Sequence, residues 1–180
     1  MTHIHIREAL PDDAEAIRNV QYRTWLATYP NEVYGITKED IEARFREDSD
    51  PEKAREKWER YRQSLCVPPF RVWVALEGTA LIGFCRAKQD DLESWVQALY
   101  VLPEFQHKGI GKRLLQTALD WLGVEKEVVL EVAAYNEKAI AFYRAFGFVL
   151  AGSIPVSESL QMPSGVRFPE IKMVKKGRAN

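Results

Sequence analysis

The chain has 180 residues and a formal net charge of −1, the size of one domain with a core large enough to fold alone. Near-neutrality argues against the basic field that recruits nucleic acid or a membrane surface, and no apolar run approaches a membrane span. The two cysteines, Cys66 and Cys85, are too far apart for a zinc motif or a disulfide framework, and the N-terminus lacks an apolar signal core, so a reducing, cytoplasmic setting is expected.

Residues 3–7 alternate, which predicts an edge strand with Ile4 and Ile6 inward and His3 and His5 outward. Two histidines at that spacing can chelate a metal, but no third ligand accompanies them, so they read as solvated and no metal is expected. Pro11, Asp12 and Asp13 open a helix whose apolar side is Ala14, Ile17, Val20 and Trp25. From about residue 24 to 65 the chain is mostly helical, aromatic and mixed in charge. A short helix is expected over 38–45 and a longer one over 51–65, with Asp50 as N-cap before Pro51. Glu52 with Arg55, and Glu56 with Arg60, fall on neighbouring helical positions and mark a solvated face. Trp25, Tyr29, Tyr34, Phe45, Trp58 and Tyr61 all lie in this region. Each alone reads as core; together they suit the wall of a cleft, with Trp25 and Tyr29 as contacts for a substrate.

Pro68 and Pro69 punctuate the chain, and residues 70–87 read as a hairpin turning at Glu77-Gly78-Thr79. A polar connection with Asp90, Asp91 and Glu93 leads to a strand over 95–102. Its acids either greet a cationic substrate or make a soluble turn.

Residues 99–102 are apolar without a break, as an inner strand requires, and Pro103 stops that strand. Gly109 and Gly111 then sit where a helix begins. Ile110, Leu114, Leu115, Ala118, Leu119 and Leu122 recur at helical spacing. Gln106-His107-Lys108-Gly109-Ile110-Gly111 therefore places unpaired N–H groups and little bulk at a helix N-terminus. That is an anion site by geometry, with Lys108, Lys112 and Arg113 beside it. A Walker loop is excluded because Gln106 holds the first glycine position and Arg113 the hydroxyl position. A dinucleotide fingerprint is excluded by Leu114. Tight strand–helix packing also explains a pair of glycines.

Residues 127–134 read as another inner strand. Asn136 caps a helix over 137–146 with Ala139, Phe142, Tyr143 and Phe146 on one face. Gly147 is the expected left-handed residue past its end, with Phe148 folding back on the last turn. Residues 149–154 read as a strand, 157–168 as a proline-flanked loop, and 171–175 as a last strand before a basic tail.

Two segments carry a family resemblance. Leu99-Tyr100-Val101-x-Pro103 with Gln106-x-x-Gly109-x-Gly111, and Asn136 with Ala139-x-x-Phe142-Tyr143-x-x-x-Gly147-Phe148, resemble the GNAT superfamily of N-acetyltransferases. Together they cover residues 95–149. The resemblance implies a three-layer α/β fold: a central, mixed, mostly antiparallel sheet, its two middle strands splayed to admit a pantetheine arm, and helices on both faces. It implies one domain over 1–180, with the helical stretch at about 24–65 as an elaboration on the acceptor side. It implies acetyl-CoA as co-substrate, held by Gln106, His107, Lys108, Gly109, Ile110, Gly111 and Lys112 at the pyrophosphate, by Leu99, Tyr100 and Val101 along the splayed strand, and by Asn136. The implied activity is transfer of an acetyl group to a primary amine by direct attack in a ternary complex. The acceptor would be a small molecule or a peptide N-terminus. The alternative is an idle acyl-CoA-binding sensor. Relatives often form homodimers, and nothing in these residues decides that point.

Chemistry assigns roles. A lysine-like amine has a pKa near ~10 and a thiol near ~8.5, so the amine must lose a proton and the leaving sulfur gains from a nearby acid. Tyr143 resembles the family's tyrosine acid. A backbone N–H near Tyr100 and Val101 would stabilise the oxyanion. The base departs from the pattern: many relatives carry a glutamate five residues before Tyr100, and here Trp95 stands there. Glu131, which resembles the glutamate of ribosomal-protein N-terminal acetyltransferases, is the favoured substitute. Between Leu130 and Val132 it is expected to be partly buried, with a raised carboxyl pKa. Glu93 and a chain of waters are the other two options.

Overall fold

In the computed structural model, which describes residues 4–46, 50–89, 91, 93–154 and 160–177, the N-terminal alternation becomes strand β1 (Ile4–Glu8). His3, Asp90, the start of the 157–168 loop and the end of the basic tail lie outside the described residues. Helix α1 (Ala14–Thr28) follows and buries Ala14, Ile17, Val20, Thr24 and Trp25, one stripe at helical spacing. Helix α2 (Lys38–Phe45) starts on a capping box: Thr37 accepts from the Asp40 N–H, and Asp40 reaches back to the Thr37 N–H. Helix α3 (Pro51–Ser64) begins as expected, with the Asp50 carboxylate accepting from Glu52 and Lys53. Strands β2 (Phe70–Glu77) and β3 (Ala80–Gln89) form the hairpin, turning through Gly78 at φ 61°.

Strand β4 (Ser94–Val101) leads to helix α4 (Ile110–Leu122), then come β5 (Val128–Ala133), α5 (Glu137–Ala145), β6 (Val149–Ser153) and β7 (Glu170–Lys175). One sheet holds all the strands in the order β1-β2-β3-β4-β5-β7-β6. Every pair is antiparallel except β4 with β5. Helix α1 packs on β3 and β4, and α4 packs on β2, β3 and β4. Side-chain alternation along β4 puts these helices on opposite faces. Tyr100 joins the cluster around Trp25 of α1, whereas Val101 lies beneath Gly111 of α4. This is the expected three-layer arrangement. Helix α4 buries Ile110, Leu114, Leu115, Ala118, Leu119 and Leu122 against the sheet, and truncating one such leucine to alanine costs about 2–5 kcal/mol.

Besides the main core there is a second apolar cluster. It joins Trp25, Ile36 and Ile41 to Ala133 of β5 and to Met162 and Phe168. The stretch before β7 is therefore more than a connection. Ser164 N–H donates to the buried Asp40 carboxylate at 3.0 Å, which pins this segment to the start of α2. The Ser164 hydroxyl first, then the Thr37 contacts and the Ser164 N–H, hold the Asp40 carboxyl below the usual range, against the burial that raises it. Among the described residues, no helix is long and apolar enough to cross a membrane.

Candidate active site

The site begins with a defect in the sheet. Strands β4 and β5 are paired only at Ser94 with Val128 and at Trp95 with Val129; beyond that they part. Two residues further on, Ala87 pairs with Val96 and Arg86 with Ala98, leaving Gln97 as a bulge that bends β4. Leu102 N–H donates to the Ile82 carbonyl. Alternation along an antiparallel ladder then turns the backbone groups of Tyr100 and Ala98 toward β3, and those of Leu99 and Val101 toward the gap. The Val101 carbonyl confirms this direction, because it accepts from Gln106 Nε2 at 3.0 Å rather than from a strand. The Leu99 and Val101 N–H groups thus face open space where a sheet neighbour would stand.

The loop after β4 supplies the next surface. A short 3-10 turn over Pro103–Phe105 leads to His107 at φ 60° and Gly109 at φ 77°, both left-handed. Gly109 is the N-cap of α4, and no side chain caps that helix. Its first N–H groups therefore have no intrahelical partner and point into the cleft. A Cβ on Gly109 would meet nothing within 4 Å, so backbone conformation is what demands glycine there. A Cβ on Gly111 would reach Phe142 and Val101 only at 3.9 Å, so packing alone leaves room for one. The space over both glycines is open, and the N–H groups of a helix start border it. Lys112 lines the cleft. Lys108 instead lies over the Phe105 ring, 4.7 Å from its centre, and Arg113 donates to the Ile4 carbonyl.

Across the gap stands α5. Asn136 caps it by accepting from the Ala139 N–H, which leaves its side-chain amide N–H groups for the cleft. At the other end, Phe148 N–H donates to the Tyr143 carbonyl and Gly147 N–H to that of Arg144, with Gly147 at φ 85°. This is a Schellman motif, and its hydrophobic contact is Phe148 against Tyr143, rings 5.8 Å apart. Lys175 adds a bond to the Phe146 carbonyl. Helix termination thereby fixes the Tyr143 ring. Burial, with the Cys85 thiol and Tyr100 phenol nearby, holds the Tyr143 hydroxyl well above the ordinary tyrosine value. It is a hydrogen-bond donor throughout the neutral range.

A cleft of about 2020 Å³ runs through these elements. Of the residues singled out from sequence, it brings together Leu99, Tyr100, Val101, Gln106, His107, Gly109, Ile110, Gly111, Lys112, Asn136 and Tyr143 with Trp25, Tyr29 and Glu131. Lys108 and Glu93 do not line it. Glu93 pairs with Lys172 at 3.7 Å, and the same ammonium covers the Trp95 ring at 5.3 Å. Glu131 does line the cleft, but it is exposed, and the burial expected of it is absent. Its side chain leaves the sheet on the open face of β5, opposite Lys172 of β7, and the burial of Leu130 and Val132 does not extend to it.

The far end of the cleft is aromatic. Trp25 packs edge-on against Tyr29 and Phe45, and Tyr29 against Phe168. The guanidinium of Arg44 lies 5.3 Å over Trp25. Tyr135 donates to the Tyr29 carbonyl. Burial raises Tyr29, the Tyr100, Tyr143 and Tyr135 phenols raise it further, and all four residues line the cleft. Trp25 Nε1 is buried there beside the Tyr100 phenol. Glu170, Phe168 and Tyr135 also line this end, and the sequence reading missed all three. No spacing marks them; Tyr135 arrives on the turn after β5, and Phe168 and Glu170 arrive because β7 inserts between β5 and β6.

Comparison with known proteins agrees with this construction. The sequence profile of the Acetyltransferase (GNAT) family matches residues 15–148. A spermidine N(1)-acetyltransferase of Thermoplasma acidophilum is 31% identical over 150 residues, 81% of this chain and 88% of that protein. An N-alpha-acetyltransferase RimI of Mycobacterium tuberculosis is 34% identical over 98 residues, 51% of this chain. The chain spans 60% of the length of that relative and 55% of another N-alpha-acetyltransferase. Among solved structures, the PaiA N-acetyltransferase of Thermoplasma acidophilum in complex with coenzyme A superposes with a TM-score of 0.73 at 27% identity, covering 97% of this chain and 99% of that one. The splayed strands, the glycine loop and the matched profile lead to one conclusion: the chain belongs to the GNAT family of acetyltransferases.

Proposed function

We propose that this chain is a single-domain N-acetyltransferase that moves an acetyl group from acetyl-CoA to a primary amine by direct attack in a ternary complex. The observation that carries the reading is the gap between β4 and β5, with the Leu99 and Val101 N–H groups on one side and Tyr143 on the other. The pyrophosphate rests on the N–H groups at Gly109–Lys112, and the pantetheine arm takes the place of the missing strand neighbour, as a β-strand addition would. The thioester carbonyl then lies by the Val101 N–H, which stabilises the oxyanion. The amine nitrogen bonds to that carbonyl carbon, the carbon–sulfur bond breaks, and the Tyr143 hydroxyl gives its proton to the departing thiolate. The proton left on the new amide nitrogen returns to the tyrosinate.

The acceptor enters from the aromatic end, walled by Trp25 and Tyr29 and by the helical stretch before β2. A polyamine or a peptide N-terminus suits this end. The spermidine acetyltransferase, which matches over most of both chains, favours the polyamine. Calorimetric titration with acetyl-CoA, against ATP and NAD, tests the coenzyme half. Thiol release with spermidine and with a short unblocked peptide tests the acceptor half. Selective acetyl-CoA binding with turnover of either amine is expected; absence of acetyl-CoA binding would sink the reading. Binding without turnover of any amine would favour the idle sensor.

A further inference from the structure

The residue that has the environment expected of the base is not Glu131 but Glu170. Glu170 opens β7, where its Cα faces Ala133 of β5; Glu131 faces Lys172 two residues along the same ladder. The two carboxylates are therefore diagonal neighbours on one face of the sheet, within reach of each other's long side chains. Both line the cleft. They differ in surroundings: Glu131 is exposed, whereas Glu170 is half-buried behind the 160–168 segment and accepts the Leu160 N–H at 3.3 Å. Glu170 is fixed in place by its own backbone, since Ile154 N–H donates to the Glu170 carbonyl and Ala134 N–H to that of Pro169.

The position of Glu170 ties it to the reacting end. Glu170 lines the same cleft as Tyr100 and Tyr143, and burial first, then the charge of Glu170, raises the Tyr100 phenol against the Tyr29 and Trp25 hydrogen bonds and Arg44.

Resting on the acetyltransferase reading above, we propose that Glu170 is the carboxylate that takes the acceptor's proton, with Glu131 as the second anion that holds the incoming ammonium. The substrate enters as R–NH3⁺, bound between the two carboxylates. One N–H proton passes to Glu170, giving a neutral amine with a free electron pair and a carboxylic acid. The amine attacks, and Glu170 returns its proton to solvent after product leaves.

The charged and titratable groups facing Glu170 are Glu131 from β5, Arg44 from α2 and Tyr100 from β4, with Lys172 beyond Glu131 on β7. Burial raises the Glu170 carboxyl above its ordinary value. The Leu160 N–H opposes that shift, the charge of Glu131 adds to it, and Arg44 opposes it. A base must be ionised to act, so activity falls as pH drops through this raised value.

The test is thiol release at saturating acetyl-CoA, from about pH 5 to about pH 9, for wild type, Glu170→Gln, Glu170→Asp and Glu131→Gln. Spermidine and an unblocked peptide are the acceptors, and each melting temperature is recorded. Glu170→Gln keeps an acceptor for the Leu160 N–H. It should lose about 10²-fold in kcat with unchanged acetyl-CoA affinity and melting temperature, and with the acid limb of the pH profile abolished. Glu170→Asp should recover part of the rate, and Glu131→Gln should mainly raise the KM of the amine. Wild-type kcat and acid limb in Glu170→Gln overturn the assignment. So does a loss that Glu170→Asp shares fully alongside a lowered melting temperature, which would make Glu170 structural. A wild type that turns over neither amine overturns the functional reading and this assignment with it; acetyl-CoA titration tells that failure apart.

Discussion

Along one cleft, the end at residues 99–122 is made of backbone, and the end around Trp25, Tyr100 and Glu170 is made of side chains from several distant segments. The coenzyme end needs a strand that loses its neighbour, two left-handed residues and a helix start, all within a short stretch of chain. The acceptor end needs α1, α2, β4, β7 and the 160–168 segment to arrive at one place. The contrast teaches where function is constrained. A ligand held by main-chain N–H groups tolerates little change in backbone geometry, whereas a wall of aromatic side chains can change specificity without disturbing the coenzyme.

Substitutions can break that comparison or sharpen it. The largest effect is expected at Tyr143, where the two ends meet. Tyr143→Phe should lower turnover by about 10²-fold or more while the acetyl-CoA dissociation constant stays the same. Steady-state kinetics beside calorimetry reads this, and full activity in the variant would remove Tyr143 as the acid.

Next comes Gly109→Ala, which forces a side chain into a left-handed residue at about 1–2 kcal/mol. Its acetyl-CoA affinity should fall about tenfold or more, because the N–H groups it positions are displaced. Equal affinity would show that those groups do not hold the anion.

Asp40→Ala addresses the other end. Removing the buried carboxylate leaves the Ser164 N–H without its acceptor and costs about 1–3 kcal/mol. The amine's KM should rise several-fold while acetyl-CoA binding stays constant. The sign of the pH dependence follows from the lowered Asp40 pKa: its contribution is complete above the unfolded value of about 4 and is lost as pH falls through the lower folded value. Wild type and Asp40→Ala should therefore converge in stability in acid, as denaturant melts at several pH values would reveal.

The smallest effect on the fold, and the sharpest separation of the two roles of glycine, is expected at Gly111. Space exists for a methyl group, and alanine favours helix by up to about 1 kcal/mol. Gly111→Ala should melt no lower than wild type yet bind acetyl-CoA more weakly. Undiminished binding would mean that the cradle over Gly111 is not occupied.

Much of the coenzyme end was legible because its signals are local. The strand–proline–glycine–helix order, the apolar period of α4, the Asn136 cap and the Gly147 terminus are each decided within one or two helical turns. The same locality explains why Asp50, Thr37 and Gly78 end up where turn and cap chemistry puts them. Glu131 shows the limit of that reasoning. Apolar neighbours on both sides imply burial if the strand is covered on both faces, but β5 is open on one face at that point. Glu93 and Lys108 were drawn to other partners, Lys172 and the Phe105 ring, that no spacing rule reveals.

The sequence by itself determined the elements, the glycine-led helix start and the tyrosine at the end of a Schellman-capped helix, because each depends on backbone preferences within a few residues. Tertiary structure alone decided which carboxylate is half-buried, that Met162 and Phe168 join an aromatic cluster, and that four tyrosines line one cleft. Those outcomes depend on sheet order: β7 lies between β5 and β6, and this long-range pairing sets Glu170 beside β5 in the cleft that Tyr100 also lines.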